Sequence, residues 1–467
     1  MDRCIAPWSL VCTVSLAVAA CGDSVSASAS ASDGASTGKI TTVTPTGDSS
    51  GDSGVTPTTG AGSGSASGTT TGATSEAVGT SEVSTSDGFK FDLPSVDAGT
   101  GGCAVKCGNT DWSYVWIANS GEHTISKLNT REMTEEGRYI TRADQNGNPS
   151  RTSVSIDAKA VVVANRSGGL TKIWARPEYC TDKNGNGKID TSTGKDDLLP
   201  WGTDECIAWY TDFPGATTQR PVAWTSGVYN PRTCEYEDQK IWAAASFGVN
   251  GVGSPCDGAD GIYVYRVNGD TGVVEDTIHL ADVTCGLLGA YGAAVDVDNN
   301  AWFFVFGGGV IFRVDHETLE YEVVQKGFYG ITVDTKSRVW LDDGSRYDPV
   351  TKTWDLQIGD LPPNGGSGVA VDLQGRVWHA TNGGIGWLDS ETMQVGGKVL
   401  LPEQTIARGI GVDVDGYIWA VMLGGTTAHR IHPETFEVAT YDGLNQPYTY
   451  SDMAGGQINN ITCNPQG

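Results

Sequence analysis

The sequence predicts an all-β protein, a seven-bladed β-propeller that follows a disordered N-terminal tether. Three observations predict it. The stretch Gly368–Val395, GVAVDLQGRVWHATNGGIGWLDSETMQV, reads as four short apolar runs separated by turn residues, the pattern of an antiparallel four-stranded sheet. The same order recurs upstream as GITVDTKSRVWLDDGSRYDPVTKTWDL and downstream as GIGVDVDGYIWAVMLGGTTAHRIHPETFEV. A unit repeated at this period signals an array of sheets. Finally, the second strands align on Trp116, Val162, Trp242, Trp302, Trp340, Trp378 and Trp419, with steps of 46, 80, 60, 38, 38 and 41 residues. The short steps are the bare unit and the longer ones carry insertions, so seven units fit seven blades.

Taken in order, residues 1–21 read as an export signal. Arg3 supplies the positive start and Trp8–Ala20 is almost wholly apolar or small, too short for a retained membrane span. The ending Leu16-Ala17-Val18-Ala19-Ala20-Cys21 resembles a bacterial lipobox. That resemblance implies cleavage before Cys21, lipidation of its thiol and attachment to a membrane of the bacterial cell envelope. The outer membrane or cell surface is favoured over the inner membrane.

Residues 22–88 are Ser, Thr, Gly and Ala with scattered acids. They lack the apolar side chains needed to offset ordering entropy and predict a disordered linker. As a flexible chain of about 65 residues it reaches roughly 40–50 Å. The propeller is expected over 89–467, with no helix longer than a turn or two. Its first unit starts at a second strand, Tyr114–Asn119. The segment Ser451–Ile458 is left over at the C-terminus and could supply the missing inner strand, which closes the ring and removes exposed edges.

The formal net charge is −26, which excludes a nucleic-acid surface because phosphates must be met by Lys and Arg. With Cys21 and the signal set aside, eight cysteines remain, an even number in an exported chain and so a disulfide set. Cys180 with Cys206 and Cys234 with Cys256 bracket insertions and are the expected pairs. Cys463 could reach Cys103 or Cys107.

The insertion at about 177–206 carries Asp182, Asn184, Asn186, Lys188 and Asp190, with Gly187 at the sixth position. This resembles the calcium loop of EF-hand and dockerin modules, in which alternate oxygens converge on one Ca2+. The resemblance implies side-chain ligands from Asp182, Asn184, Asn186 and Asp190, and the carbonyl of Lys188. Thr193 stands where the family has a bidentate Glu; Asp196, Asp197, Asp204 or Glu205 could replace it only by folding back. A plain Asn-Gly turn in a disulfide-closed loop is the other reading.

The repeated units, carried by Gly330-Ile331-Thr332-Val333-Asp334 with Val339-Trp340 and their sisters, resemble streptogramin lyase and NHL-type propellers. The lyases use a magnesium ion, a His at the start of an inner strand and a Glu just past the Trp. Here the inner strands start at Arg220, Tyr291, Tyr329, Ser367 and Arg408. The positions past the Trp hold Asn119, Asn165, Ala245, Val305, Asp343, Thr381 and Met422. The lyase set is unmatched, so a binding module for a small-molecule, glycan or protein ligand leads. An elimination or hydrolytic enzyme with an altered set around Asp343 and Arg408 is the alternative.

In a propeller these strand starts gather at one mouth of the central channel. Arg220, Tyr291, Tyr329 and Arg408, with Asp342 and Asp343 nearby, would suit an anionic or sugar-like ligand. The plainer reading has the tyrosines packing and the arginines paired with loop acids. His379 stands where sister units keep apolar packing and reads as a satisfied interface histidine. Asp296, Asp298, Asp334, Asp372, Asp413 and Asp415 read as turn caps.

Overall fold

A computed structural model describes residues 111–249, 261–362, 366–402 and 406–463. The signal, the linker, Cys21, Cys103, Cys107 and Cys256 lie outside the described residues. Six four-stranded antiparallel sheets follow a three-stranded one, which gives the seven expected blades. The inner strands of blades 2 to 7 are Pro149–Val154, Thr218–Trp224, Ala290–Val295, Thr332–Val333, Val369–Val371 and Ala407–Val412.

Blade 1 lacks an inner strand of its own and takes one from the C-terminus. The Tyr448 amide donates to Ala118 O (3.0 Å) and the Trp116 amide to Met453 O (2.8 Å). The segment that pairs is therefore Pro447–Met453, a few residues ahead of the expected one. The chain then turns into a helix, α1 (Gly456–Cys463), which the sequence pattern did not predict. Asp452 accepts the amides of Gln457 and Ile458, supplying the carboxylate that satisfies free amides at a helix start. Gln457 donates to Val333 O (2.7 Å) and Asn460 to Val371 O (3.0 Å). The helix thus lies across the inner strands of blades 5 and 6 and covers that end of the channel.

The repeated tryptophans are the blade cores. All six are at most 1 % exposed. In blades 4 to 7 the indole N–H donates to the turn acid six residues earlier: Trp302 to Asp296, Trp340 to Asp334, Trp378 to Asp372 and Trp419 to Asp413. The same acids accept the turn amides. They are caps, as expected, and also hold the indoles in place.

Opposite the Trp position, the third strand carries a cation in six blades: Lys127, Lys172, Arg266, Arg313, Arg346 and Arg430. Most of them reach the next blade. Lys127 donates to Ala175 O (2.9 Å), Lys172 to Gly269 O (2.8 Å), Arg266 to His316 O (2.7 Å), Arg346 to Ser390 O (2.5 Å) and Arg430 to Thr130 O. In blade 6 Arg376 takes over and donates to Pro433 O (2.7 Å). Hydrogen bonds from charged donors are stronger than those from neutral ones, and here they tie every blade but the fourth to its successor; Arg313 of blade 4 pairs with Asp315 of its own blade. Burial pushes the Lys127 and Lys172 ammonium groups down to about 8.

Cys180 and Cys206 form the expected disulfide across the blade 2 insertion. Cys234, Cys285 and Cys463 are also disulfide-bonded.

Candidate functional site: an arginine and tyrosine cluster at the inner strands

Four inner strands carry a β-bulge near their start. Pairing shifts between Pro149 and Arg151 in blade 2, beside Arg220 in blade 3, between Ala290 and Gly292 in blade 4, and between Ala407 and Gly409 in blade 7. A bulge leaves one residue outside the ladder and re-aims its side chain. The residues at or beside these bulges are Arg151, Arg220, Tyr291 and Arg408. Tyr329 and Ser367 stand just ahead of the inner strands of blades 5 and 6, and Tyr448 and Tyr450 come from the C-terminal strand of blade 1.

The structure brings Arg220, Tyr291, Tyr329 and Arg408 together, as the register predicted, and adds four residues. The Tyr448 phenol oxygen lies 2.7 Å from that of Tyr291 and 2.7 Å from that of Tyr329. The Arg151 guanidinium lies 3.2 Å from the Tyr450 ring centre and 4.7 Å from that of Tyr291. Arg166 lies 4.2 Å from the Tyr448 ring, Arg220 4.5 Å from Tyr291, and Arg408 5.2 Å from Tyr329 and 5.6 Å from Tyr448. Gly366 (φ +107°) lets the chain pass this close: a Cβ there would stand 2.8 Å from the Tyr329 ring, and its carbonyl accepts from Arg408.

Among the described residues no Asp or Glu forms an ion pair with Arg151, Arg166 or Arg408. Arg151 donates to Ser150 O (3.0 Å), and Arg166 to Ser120 Oγ (3.2 Å) and Asn148 Oδ1. Among the described residues no loop acid pairs with Arg408, which instead lies over the Tyr329 and Tyr448 rings. Arg151 Nε and Nη2, Arg408 Nε and both amide atoms of Gln219 are buried without a protein hydrogen-bond partner. Buried polar groups of this kind are costly unless something else meets them.

The electrostatics follow from the geometry. Burial acts to raise the Tyr448 phenol, yet Arg151, Arg408, Arg220 and Arg166 together bring it down to about 7. Burial holds Tyr329 and Tyr450 well above the ordinary range and raises Tyr291. Burial, with Arg220 nearby, lowers Arg166 to about 10.

The two expected acids play a lesser part. Asp342 is fully buried and accepts from the Ser367 amide (3.0 Å) and hydroxyl (2.7 Å). Burial raises its carboxyl to about 7, and Arg408 is among the groups that lower it. Asp343 caps its own turn, accepting from the Ser345 amide and hydroxyl, and has no contact with the cluster among the described residues. His379 is a buried packing residue, as expected; neither ring nitrogen makes a well-formed hydrogen bond, and the Leu361 backbone interacts with the ring. Burial lowers it to about 4, against a smaller pull from Asp343, so it is neutral at physiological pH.

The alignment on the blade tryptophans left out Arg151, Arg166, Tyr448 and Tyr450. Blade 2 has Val162 in place of Trp, so the start of its inner strand at Arg151 was passed over. Arg166 follows that second strand directly. The two tyrosines were hidden because the C-terminal strand was placed a few residues late.

The calcium-like loop is folded as a series of Asx turns. Asp182 accepts the amides of Gly185, Asn186 and Gly187. The side-chain amides of Asn184 (2.9 Å) and Asn186 (2.7 Å) both point at Asp190 Oδ2, and Lys188 pairs with Asp190 Oδ1. Glu205 does fold back: its oxygens accept the amides of Lys183, Asn184 and Asp190. Asp204 and Asp197 bind Ser192 and Thr193 instead. The donor set fits a hard cation, because a half-turn of either Asn amide presents an oxygen where its nitrogen now stands.

The fold and the cluster define a seven-bladed propeller with cationic and phenolic side chains at its inner strands. Among solved structures it is similar to a virginiamycin B lyase from Staphylococcus aureus (16 % identity, 46 % of this chain and 72 % of that one, TM-score 0.37). A catalytically inactive form of that lyase with quinupristin gives 14 %, 63 %, 84 % and 0.42. The structure of U3-55K gives 12 %, 72 %, 96 % and 0.43. No protein-family profile and no curated protein matches the sequence.

Proposed function

We propose that the protein is an exported lipoprotein whose tethered propeller binds a small ligand through carboxylate, phosphate or sulfate groups at the arginine and tyrosine cluster. One observation carries this: among the described residues no carboxylate pairs with Arg151, Arg166 or Arg408, although the chain has a net charge of −26. Guanidinium forks beside aromatic rings recognise planar oxyanions by paired N–H donation while the rings flank the ligand body. Shielding from water strengthens each contact. The elimination enzyme finds no observation in its favour. Asp343 is turned into its own loop, and among the described residues no group of three or more His, Cys, Asp or Glu side chains could hold a metal.

The lipid anchor, the bacterial envelope location and the calcium site belong to the same reading. Supported by the lipobox, Cys21 would carry acyl chains, and the linker would lift the propeller from the membrane. Calcium at Asp182, Asn184, Asn186, Lys188 O and Asp190 would stiffen the blade 2 insertion without taking part in ligand binding. The test is a screen of acidic metabolites and acidic glycan fragments against the soluble propeller by calorimetry, with Arg408→Ala as control. A ligand that binds wild type and loses at least tenfold with Arg408→Ala supports the reading; binders confined to neutral or cationic compounds refute it. For the anchor, labelled palmitate should enter the wild type and not Cys21→Ser; no label in the wild type removes that part.

A further inference from the structure

Tyr448 is the hub of the cluster's hydroxyl contacts. Tyr448 Oη sits 2.7 Å from two other phenol oxygens, those of Tyr291 and Tyr329. A hydroxyl so placed can accept from both neighbours, and among the described residues it has no third partner that needs its proton. Two further observations point the same way. The guanidiniums of Arg151, Arg166 and Arg408 all lie within 5.6 Å of the Tyr448 ring centre. And no described carboxylate neutralises those three.

We propose that Tyr448 serves the unliganded cluster as an internal phenolate counter-ion, and that an incoming carboxylate, phosphate or sulfate displaces that charge, so that binding takes up one proton at Tyr448 Oη. The inference rests on the anion-binding reading above and adds how the site is kept balanced without a ligand. The balance is simple: the ligand brings its negative charge to the arginines, Tyr448 Oη gains a proton from solvent, and no bond other than that O–H forms or breaks. The chemistry favours ligands with two or more negative charges, because one charge only replaces the phenolate. It also makes affinity fall as pH rises above the Tyr448 midpoint, since the proton must then be taken from a scarcer pool.

The groups facing Tyr448 set the limits of this scheme. Arg151, Arg220 and Arg408 come from the inner strands of blades 2, 3 and 7, Arg166 from the loop after the second strand of blade 2, and Tyr291 and Tyr329 from blades 4 and 5. Tyr450 lies beside Arg151 on the same strand as Tyr448. Asp342, bonded to Ser367 and interacting with Arg408, is a described acid that could also take the proton, so the test must see the phenol directly.

Phenolate absorbs in the near ultraviolet and a carboxylate does not. The soluble propeller, titrated from pH 5 to 11 without added anion, should show one tyrosine ionising with a midpoint of about 7 and the remainder near or above about 10. Tyr448→Phe, with an unchanged circular dichroism spectrum, should lose the early step alone. Saturating sulfate or inorganic phosphate should move the early midpoint up by at least one pH unit. Calorimetry of the same anions near pH 8 in buffers of different ionisation enthalpy should report uptake approaching one proton per site. No tyrosine ionising below pH 9 in the wild type overturns the phenolate, whatever the variant does. Sulfate that binds with no proton uptake and no shift of the early step overturns the displacement but leaves the anion site standing. Neither sulfate nor phosphate nor citrate binding, with the early step present, overturns the displacement together with the anion-binding reading itself.

Discussion

The Arg151 guanidinium carbon lies 3.2 Å from the centre of the Tyr450 ring, fully buried and unpaired with any described carboxylate. A charge in such a place is stable only where ring faces, phenol oxygens or a bound anion replace its lost hydration. Arg151→Gln keeps a polar side chain and removes the charge. It should weaken binding of an anion at the cluster by about 10- to 100-fold, the worth of one charge-assisted hydrogen bond or pair. Competition with wild type in calorimetry checks this, and an unchanged affinity would place the ligand elsewhere.

The turn acids should prove more costly to remove than their exposed positions on the sequence suggest. Asp372 accepts from the Gln374 and Arg376 amides, from Arg376 Nε (2.6 Å) and from Trp378 Nε1 (2.8 Å). Asp372→Ala leaves the buried Trp378 indole N–H and the Arg376 Nε–H without their acceptor, while Arg376 keeps its bond to Pro433 O, at about 3–5 kcal/mol. Thermal unfolding should show a drop on the order of 6–10 °C. A change within 2 °C would mean the Trp378 bond contributes little.

Four buried carboxyls are raised by burial above their ordinary value of 3.8: Asp342 to about 7, Asp413 and Asp452 to about 6, and Asp296 in the same direction. Each binds its proton more tightly in the folded chain than in the unfolded one. Between pH 4 and pH 7 the unfolded state has released protons that the folded state keeps, so the contribution of these carboxyls to stability falls as pH rises through that window and is constant above it. The melting temperature should drop by about 5–10 °C between pH 4.5 and 7.5. A flat or rising profile would contradict the burial of these groups.

Calcium should act on the insertion alone. With a dissociation constant of about 0.1–1 mM, as for extracellular modules, 10 mM calcium stabilises by roughly 1.4–2.7 kcal/mol. The melting temperature should rise by a few degrees in the wild type and not in Asp182→Ala, with anion binding unaffected in both. No bound ion at millimolar supply removes the site.

The repeat made the propeller legible because a sheet with one buried face writes its period into the chain, and Trp at one register marks each blade. Arg220, Tyr291, Tyr329 and Arg408 were legible for the same reason, since register alone places them at the channel. What stayed hidden depended on contacts between distant segments. Tyr448 and Tyr450 join the site only when the C-terminus pairs with Trp116 and Ala118. Arg151 belongs to the one blade whose marker is Val162. The bulges that turn these side chains inward leave no pattern in a single sequence. Whether an arginine meets a loop acid or a ring is likewise a question of packing, and Asp342 and Asp343 stand close to the arginines in sequence pattern yet bind Ser367 and Ser345.

The most direct measurement is a crystal structure of the soluble propeller grown or soaked with selenate, located by its anomalous scattering. An ordered selenate at the cluster, accepting from Arg151 Nη2 and from Arg408 within hydrogen-bond distance, is the predicted result. Only water bonded to those guanidiniums, at selenate concentrations that fill surface sites, would contradict it.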